Sequence, residues 1–73
     1  MADIPVRSEV AGIVARVAAV VGRRVAEGDE MIILEAMKME LPVLAPTAGI
    51  VAAILVAEGE AVSEGQAIAT LSR

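Results

Sequence analysis

One lysine, Lys38, stands at the midpoint of this 73-residue chain, inside the stretch Glu35-Ala36-Met37-Lys38-Met39-Glu40. The other five basic residues are all arginines: Arg7, Arg16, Arg23, Arg24 and Arg73. A guanidinium stays charged and is no nucleophile, whereas a lysine amine can be acylated. The chemistry on offer is therefore acyl acceptance at a single nitrogen. Little else is available. With no cysteine and no histidine there is no thiolate, no zinc site, and no imidazole base for Ser8, Ser63, Ser72, Thr47 or Thr70. The acids Asp3, Glu9, Glu27, Asp29 and Glu30 do not share a loop with metal-ligand spacing. The absence of Phe, Tyr and Trp and a net charge of −4 exclude base stacking and argue against a phosphate backbone as partner. No apolar run is long enough to span a bilayer. The start, Met1-Ala2-Asp3-Ile4-Pro5, lacks the basic and apolar regions of a signal peptide. A cytoplasmic protein without membrane contact is expected, and the lack of cysteine agrees.

The elements that must position Lys38 come in two copies. At an offset of 37 residues the chain matches itself without a gap: Ala11-Gly12-Ile13-Val14-Ala15 returns as Ala48-Gly49-Ile50-Val51-Ala52. Gly22-x-x-Val25-x-Glu27-Gly28 returns as Gly59-x-x-Val62-x-Glu64-Gly65, and all six glycines fall into three such pairs. The reading is one domain over 1–73, with repeats at about 6–36 and 43–73 and the hairpin 35–40 between them. An approximate two-fold axis should relate the halves.

Intrinsic propensity would make helices of the Ala-rich run 13–21 and of residues 30–41. The glycine spacing leaves little room for them, and the intervening apolar residues are mostly β-branched. Strands are predicted near 4–9, 12–20, 30–36, 39–44, 49–57 and 67–72, with short extended pieces near 24–26 and 61–63. The fold class is all-β: a flattened barrel or sandwich of two four-stranded antiparallel sheets with pseudo-two-fold symmetry. Arg16 marks one face of the second strand as outward. Ile13, Ala15, Val17 and Ala19, with their partners Ile50, Ala52, Ile54 and Val56, are therefore expected to face the core. Pro42 should lie at an edge or strand start, because it cannot donate to a ladder. The Glu27-Gly28 and Glu64-Gly65 pairs read as turns and Arg23-Arg24 as a solvated loop.

If 30–36 and 39–44 are adjacent antiparallel strands, Met37 and Lys38 are the two central residues of a tight hairpin. That position favours Asn-Gly or Asp-Gly, so Met-Lys breaks the local rule. Such violations tend to mark function. The same pairing sets Ala36 opposite Met39 and Glu35 opposite Glu40. The two carboxylates either splay into solvent or form a recognition surface beside Lys38, and the second account is preferred. Acylation needs the neutral amine, and two carboxylates give no help in reaching it. A partner enzyme must remove the proton and bring an activated acyl group.

These residues resemble the biotinyl (biotin carboxyl carrier) domain family, close kin of lipoyl domains, over about residues 6 to 72. Lys38 is similar to the attachment lysine, Met37 and Met39 to its flanking methionines, and Glu35, Ala36 and Glu40 to the rest of the motif. Ala45-Pro46-x-x-Gly49, Gly59 and Gly65 are similar to later family positions. The resemblance implies a barrel-sandwich hybrid fold and biotin joined to Lys38 by a biotin protein ligase. It further implies a non-catalytic carrier that moves a carboxyl group between a biotin carboxylase and a carboxyltransferase. The alternative is a lipoyl, or dual biotin/lipoyl, carrier for a 2-oxoacid dehydrogenase-type complex. Lipoyl domains have Asp before the lysine, where this chain has Met37. A small β-rich interaction module would explain the composition but neither the glycine pairs nor the odd turn. The chain departs from the family at Ser8-Glu9-Val10-Ala11-Gly12, where members often carry a Pro-rich turn. The gapless match of the halves implies that no thumb protrudes; with no long linker upstream and a start at Met1, a small free-standing carrier is expected.

Overall fold

The computed structural model describes residues 3–73; residues 1–2, which the expected domain span includes, lie outside the described residues. Eight strands follow one another: β1 (Asp3–Arg7), β2 (Gly12–Val17), β3 (Arg24–Val25), β4 (Glu30–Ala36), β5 (Met39–Leu44), β6 (Gly49–Ile54), β7 (Ala61–Val62) and β8 (Ala67–Ser72). They form two four-stranded antiparallel sheets, ordered β1-β8-β6-β3 and β5-β4-β2-β7. The all-β class and the two sheets are as expected, and no helix forms among the described residues. Each sheet takes two strands from each half of the chain. The halves are thus interlaced across both sheets.

Backbone hydrogen bonds carry that exchange, and they come in matched pairs. Gly22 N–H donates to the Val51 carbonyl at 2.8 Å, and Gly59 N–H donates to the Val14 carbonyl at 2.8 Å. In return Val51 N–H donates to Arg23 and Val14 N–H to Glu60, both at 2.9 Å. The loops ahead of β2 and β6 are tied likewise: Ser8 N–H to the Gln66 carbonyl at 3.0 Å, and Ala45 N–H to that of Asp29 at 2.8 Å. Two turn side chains also repeat their work. Ala26 N–H donates to Asp29 Oδ2 at 2.8 Å, and Ser63 N–H to Gln66 Oε1 at 2.9 Å. These are the local side-chain bonds by which short polar residues hold turns.

The core is aliphatic: Val6, Val14, Met31, Ile32, Leu34, Val51, Ile68 and Leu71 are all fully buried. One expectation fails here. Val14 and Val51 face the core, Ile13 is exposed and Ile50 is only half-buried. The cause is a β-bulge in each copy, between Val14 and Arg16 and between Val51 and Ala53. One extra residue reverses the alternation, so the expected inward face holds only beyond it, at half-buried Val17, Ala19 and Ile54 and buried Val56. Register shifts at Val6/Arg7 and Glu30/Ile32 do the same for the fourth strand of each half. They let consecutive residues Met31-Ile32 and Ile68-Ala69 all be buried.

Pro42 lies on β5, an edge strand, as expected, and its partner at the 37-residue offset, Pro5, lies on edge strand β1. At the departure from the family pattern, Ser8 is buried and bonded to its own loop. Its hydroxyl donates to the Val10 carbonyl and accepts from Val10 N–H at 3.3 Å. A side chain closes this loop where prolines would stiffen it.

Gly12 and Gly49 open equivalent strands because the backbone of a neighbour passes close by. A Cβ on Gly12 would stand 2.8 Å from the Glu35 carbonyl oxygen, and one on Gly49 would stand 2.8 Å from that of Ser72. Both obstacles are strand backbone, which cannot swing aside. Gly12→Ala is therefore expected to cost about 1–3 kcal/mol by overpacking. At this chain length each kcal/mol lowers the melting temperature by about 4–8 °C. An unchanged thermal transition in the variant would show that β4 can give way.

Candidate functional site: a strained lysine hairpin

Strands β4 and β5 pair in register up to a two-residue loop: Leu34 opposite Leu41, Glu35 opposite Glu40, Ala36 opposite Met39. The loop residues are Met37 and Lys38, with φ of 51° and 62°. Positive φ at both central positions defines the type I′ turn, whose twist suits a hairpin but which favours Asn and Gly. They are the only non-glycine residues with positive φ among those described. For an L residue this region costs roughly 1–2 kcal/mol.

The strain persists because the strands beneath it are held. Ile32 and Leu34 of β4 are fully buried, and β4 lies between β5 and β2. A Cβ on Gly12 would meet the Glu35 carbonyl oxygen and, at 3.3 Å, the Ala36 Cβ, so β2 lies close against the base of the hairpin. Beyond that base nothing is packed. Met37 is 87% exposed and Met39 57%, and Glu35, Lys38 and Glu40 are exposed, while Ala36 is half-buried. The arrangement presents one primary amine, flanked by thioethers, on a firm support. An acyl group joined to Lys38 by an amide would stand clear of the fold, so the residues present fit such a group.

The structure brings all six motif residues to one tip. Sequence reasoning missed what lies beside them. Ile13, expected in the core, stands on the outer face between Glu35 of β4 and Ala61 of β7. The bulge that exposes Ile13 has no signature in the composition of the strand, and the β2–β7 pairing joins residues 48 apart in the chain. The equivalence of Gly12 and Gly49 was the one available signal that β2 begins at a close approach.

The family described as "Biotin-requiring enzyme", the biotin/lipoyl attachment family, matches residues 5–71. The chain belongs to that family. Among solved structures it is similar to the urea carboxylase of Kluyveromyces lactis, with 36% identity and a TM-score of 0.94 over 99% of this chain. It is also similar to a single-chain, multi-domain long-chain acyl-CoA carboxylase, with 32% identity and a TM-score of 0.90 over 97% of this chain. The match spans only 6% and 7% of those two proteins' lengths. No curated protein matches the chain.

Lys38→Gly puts the residue that a type I′ turn prefers in place of one that it strains. Allowing for the added freedom of glycine in the unfolded chain, the variant should be more stable by roughly 0.5–1 kcal/mol. Denaturant unfolding measures this directly, and a midpoint at or below that of the parent chain would mean that the turn stores no strain.

Proposed function

We propose that Lys38 is covalently biotinylated by a biotin protein ligase. The 73 residues would then act as one non-catalytic carrier domain in the cytoplasm, serving a biotin carboxylase and a carboxyltransferase. The observation that carries this reading is the hairpin tip: the chain's one lysine, in a strained turn between two exposed methionines, in a member of the attachment family. The two solved structures described above are both carboxylases, which favours biotin over lipoate.

In the attachment step Lys38 Nζ attacks the carbonyl carbon of an activated biotinyl donor. The amide N–C bond forms, the bond from that carbon to the leaving group breaks, and a proton passes from Nζ to a base on the ligase. The amine loses its charge, so the chain, at −4 before modification, becomes one unit more acidic. When bound, biotin supplies the nitrogen that takes up and releases carboxylate. What the chain itself contributes is position and reach. Lys38 is held at the exposed turn of a hairpin on a body 36 Å long and 17 Å across, where another enzyme's active site can close over it. Met37 and Met39 offer flexible apolar contact beside the amine, and Glu35 and Glu40 an acidic pair behind it.

Co-expression with a biotin ligase and excess biotin, followed by intact-mass measurement, tests the reading. One added biotinyl group on the parent chain and none on Lys38→Arg is the expected result. A parent chain left unmodified while a control carrier is labelled would turn the assignment to lipoate, tested next with a lipoate ligase.

A further inference from the structure

The two-fold repeat supplies an internal comparison for the surface beside the hairpin. Cross-strand partners share a face, so the registers define one row across the outer side of each sheet. On the sheet that bears the hairpin the row runs Glu40 (β5), Glu35 (β4), Ile13 (β2), Ala61 (β7). On the other sheet the residues at the 37-residue offset run Asp3 (β1), Ser72 (β8), Ile50 (β6), Arg24 (β3). The isoleucine is common to both rows and its surroundings are not. Ile50 stands beside the long side chain of Arg24 and is half-buried. Ile13 stands beside the single methyl group of Ala61 and is 45% exposed. The hairpin row also has a carboxylate, Glu35, where the other row has the Ser72 hydroxyl. Relative to the other row, these two differences leave an exposed aliphatic side chain next to a pair of acids.

The geometry points to the Glu40–Glu35–Ile13–Ala61 row as a docking surface for the ligase that acylates Lys38, with Ile13 as its apolar anchor. This inference rests on the acylation reading above. The occupant follows from continuity. Glu40 is two residues from Lys38, and Ile13 lies two strands further across, roughly 10 Å at the usual strand spacing. An enzyme whose active site closes over Lys38 covers this row as well. The ligase surface that fits carries a cationic group for the acid pair and an apolar hollow for Ile13. Ala61 serves by being small, since a longer side chain at that cross-strand position would reach over Ile13.

The test is steady-state biotinylation of the full chain by purified ligase, at limiting ligase, with kcat/KM taken from intact-mass time courses. Ala61→Arg copies the cover from the other sheet and Ala61→Gln provides it without charge; Ile13→Ser removes the anchor. Each is expected to lower kcat/KM about tenfold, mainly through KM, as for loss of a central interface contact. Arg24→Ala, the equivalent change on the far sheet, should leave it unchanged. Residue 61 is exposed on a two-residue edge strand, so its two variants remain informative if Ile13→Ser folds poorly. Labelling of both Ala61 variants at the parent rate, or equal losses in Arg24→Ala, would overturn the docking surface and leave the acylation reading intact. A parent chain that no ligase labels would overturn both.

Discussion

Everything in this fold depends on the exchange of peptide hydrogen bonds between the two halves. Each half donates the glycine N–H before its short third strand to the other half's second strand, and each accepts in return. Neither half can complete a sheet alone, because both sheets mix β1–β3 strands with β6–β8 strands or β2–β4 strands with β5–β7 strands. For a chain with no aromatic ring, disulfide or metal ligand pair of Cys and His, this matters. A 73-residue domain buries a modest share of its surface, so a core divided between separate halves would be too thin. Interlacing puts Val14 and Val51, Met31 and Ile68, Leu34 and Leu71 into one cluster. Of the four edge strands, β3 and β7 are only two residues long, and β1 and β5 each carry a proline, which has no N–H to offer another strand.

The hairpin is where that stability is spent. Met37 and Lys38 occupy a backbone region that favours glycine, and the apolar side chains of Met37 and Met39 face solvent. A rigid base permits this: Leu34 is buried in the core and Gly12 draws β2 against Glu35. A looser base would let the turn relax into a longer loop, and the lysine would lose a fixed position. Support and presentation therefore belong to different residues, one set buried and repeated, the other exposed and present in a single copy.

Much of this could be read in the sequence because glycine and proline act locally. The paired glycines located the turns and ruled out helices, and the strand limits 30–36 and 39–44 then set the hairpin register down to Glu35 opposite Glu40. What could not be read depends on contacts between distant segments. Ala15 and Ala52 sit at bulges that no composition announces, and each bulge turns the preceding isoleucine outward. Arg16 was a true marker of an outward position, but the inference drawn from it assumed unbroken alternation. The Ser8 loop was legible as a departure; that its hydroxyl closes the loop required the fold.

The two-fold relation has one more outcome. Asp3 of β1 and Ser72 of β8 stand at the 37-residue offset from Glu40 and Glu35, so these strand ends are the counterpart of the base of the hairpin. Asp3 and Ser72 are cross-strand partners, which places entry and exit of the fold about 5 Å apart. Such a fold behaves as a cassette. It can be grafted into a surface loop of an unrelated host without parting that loop's ends, and the hairpin keeps the same supporting strands. A body of this fold makes up about 6% of the length of the urea carboxylase that the chain resembles.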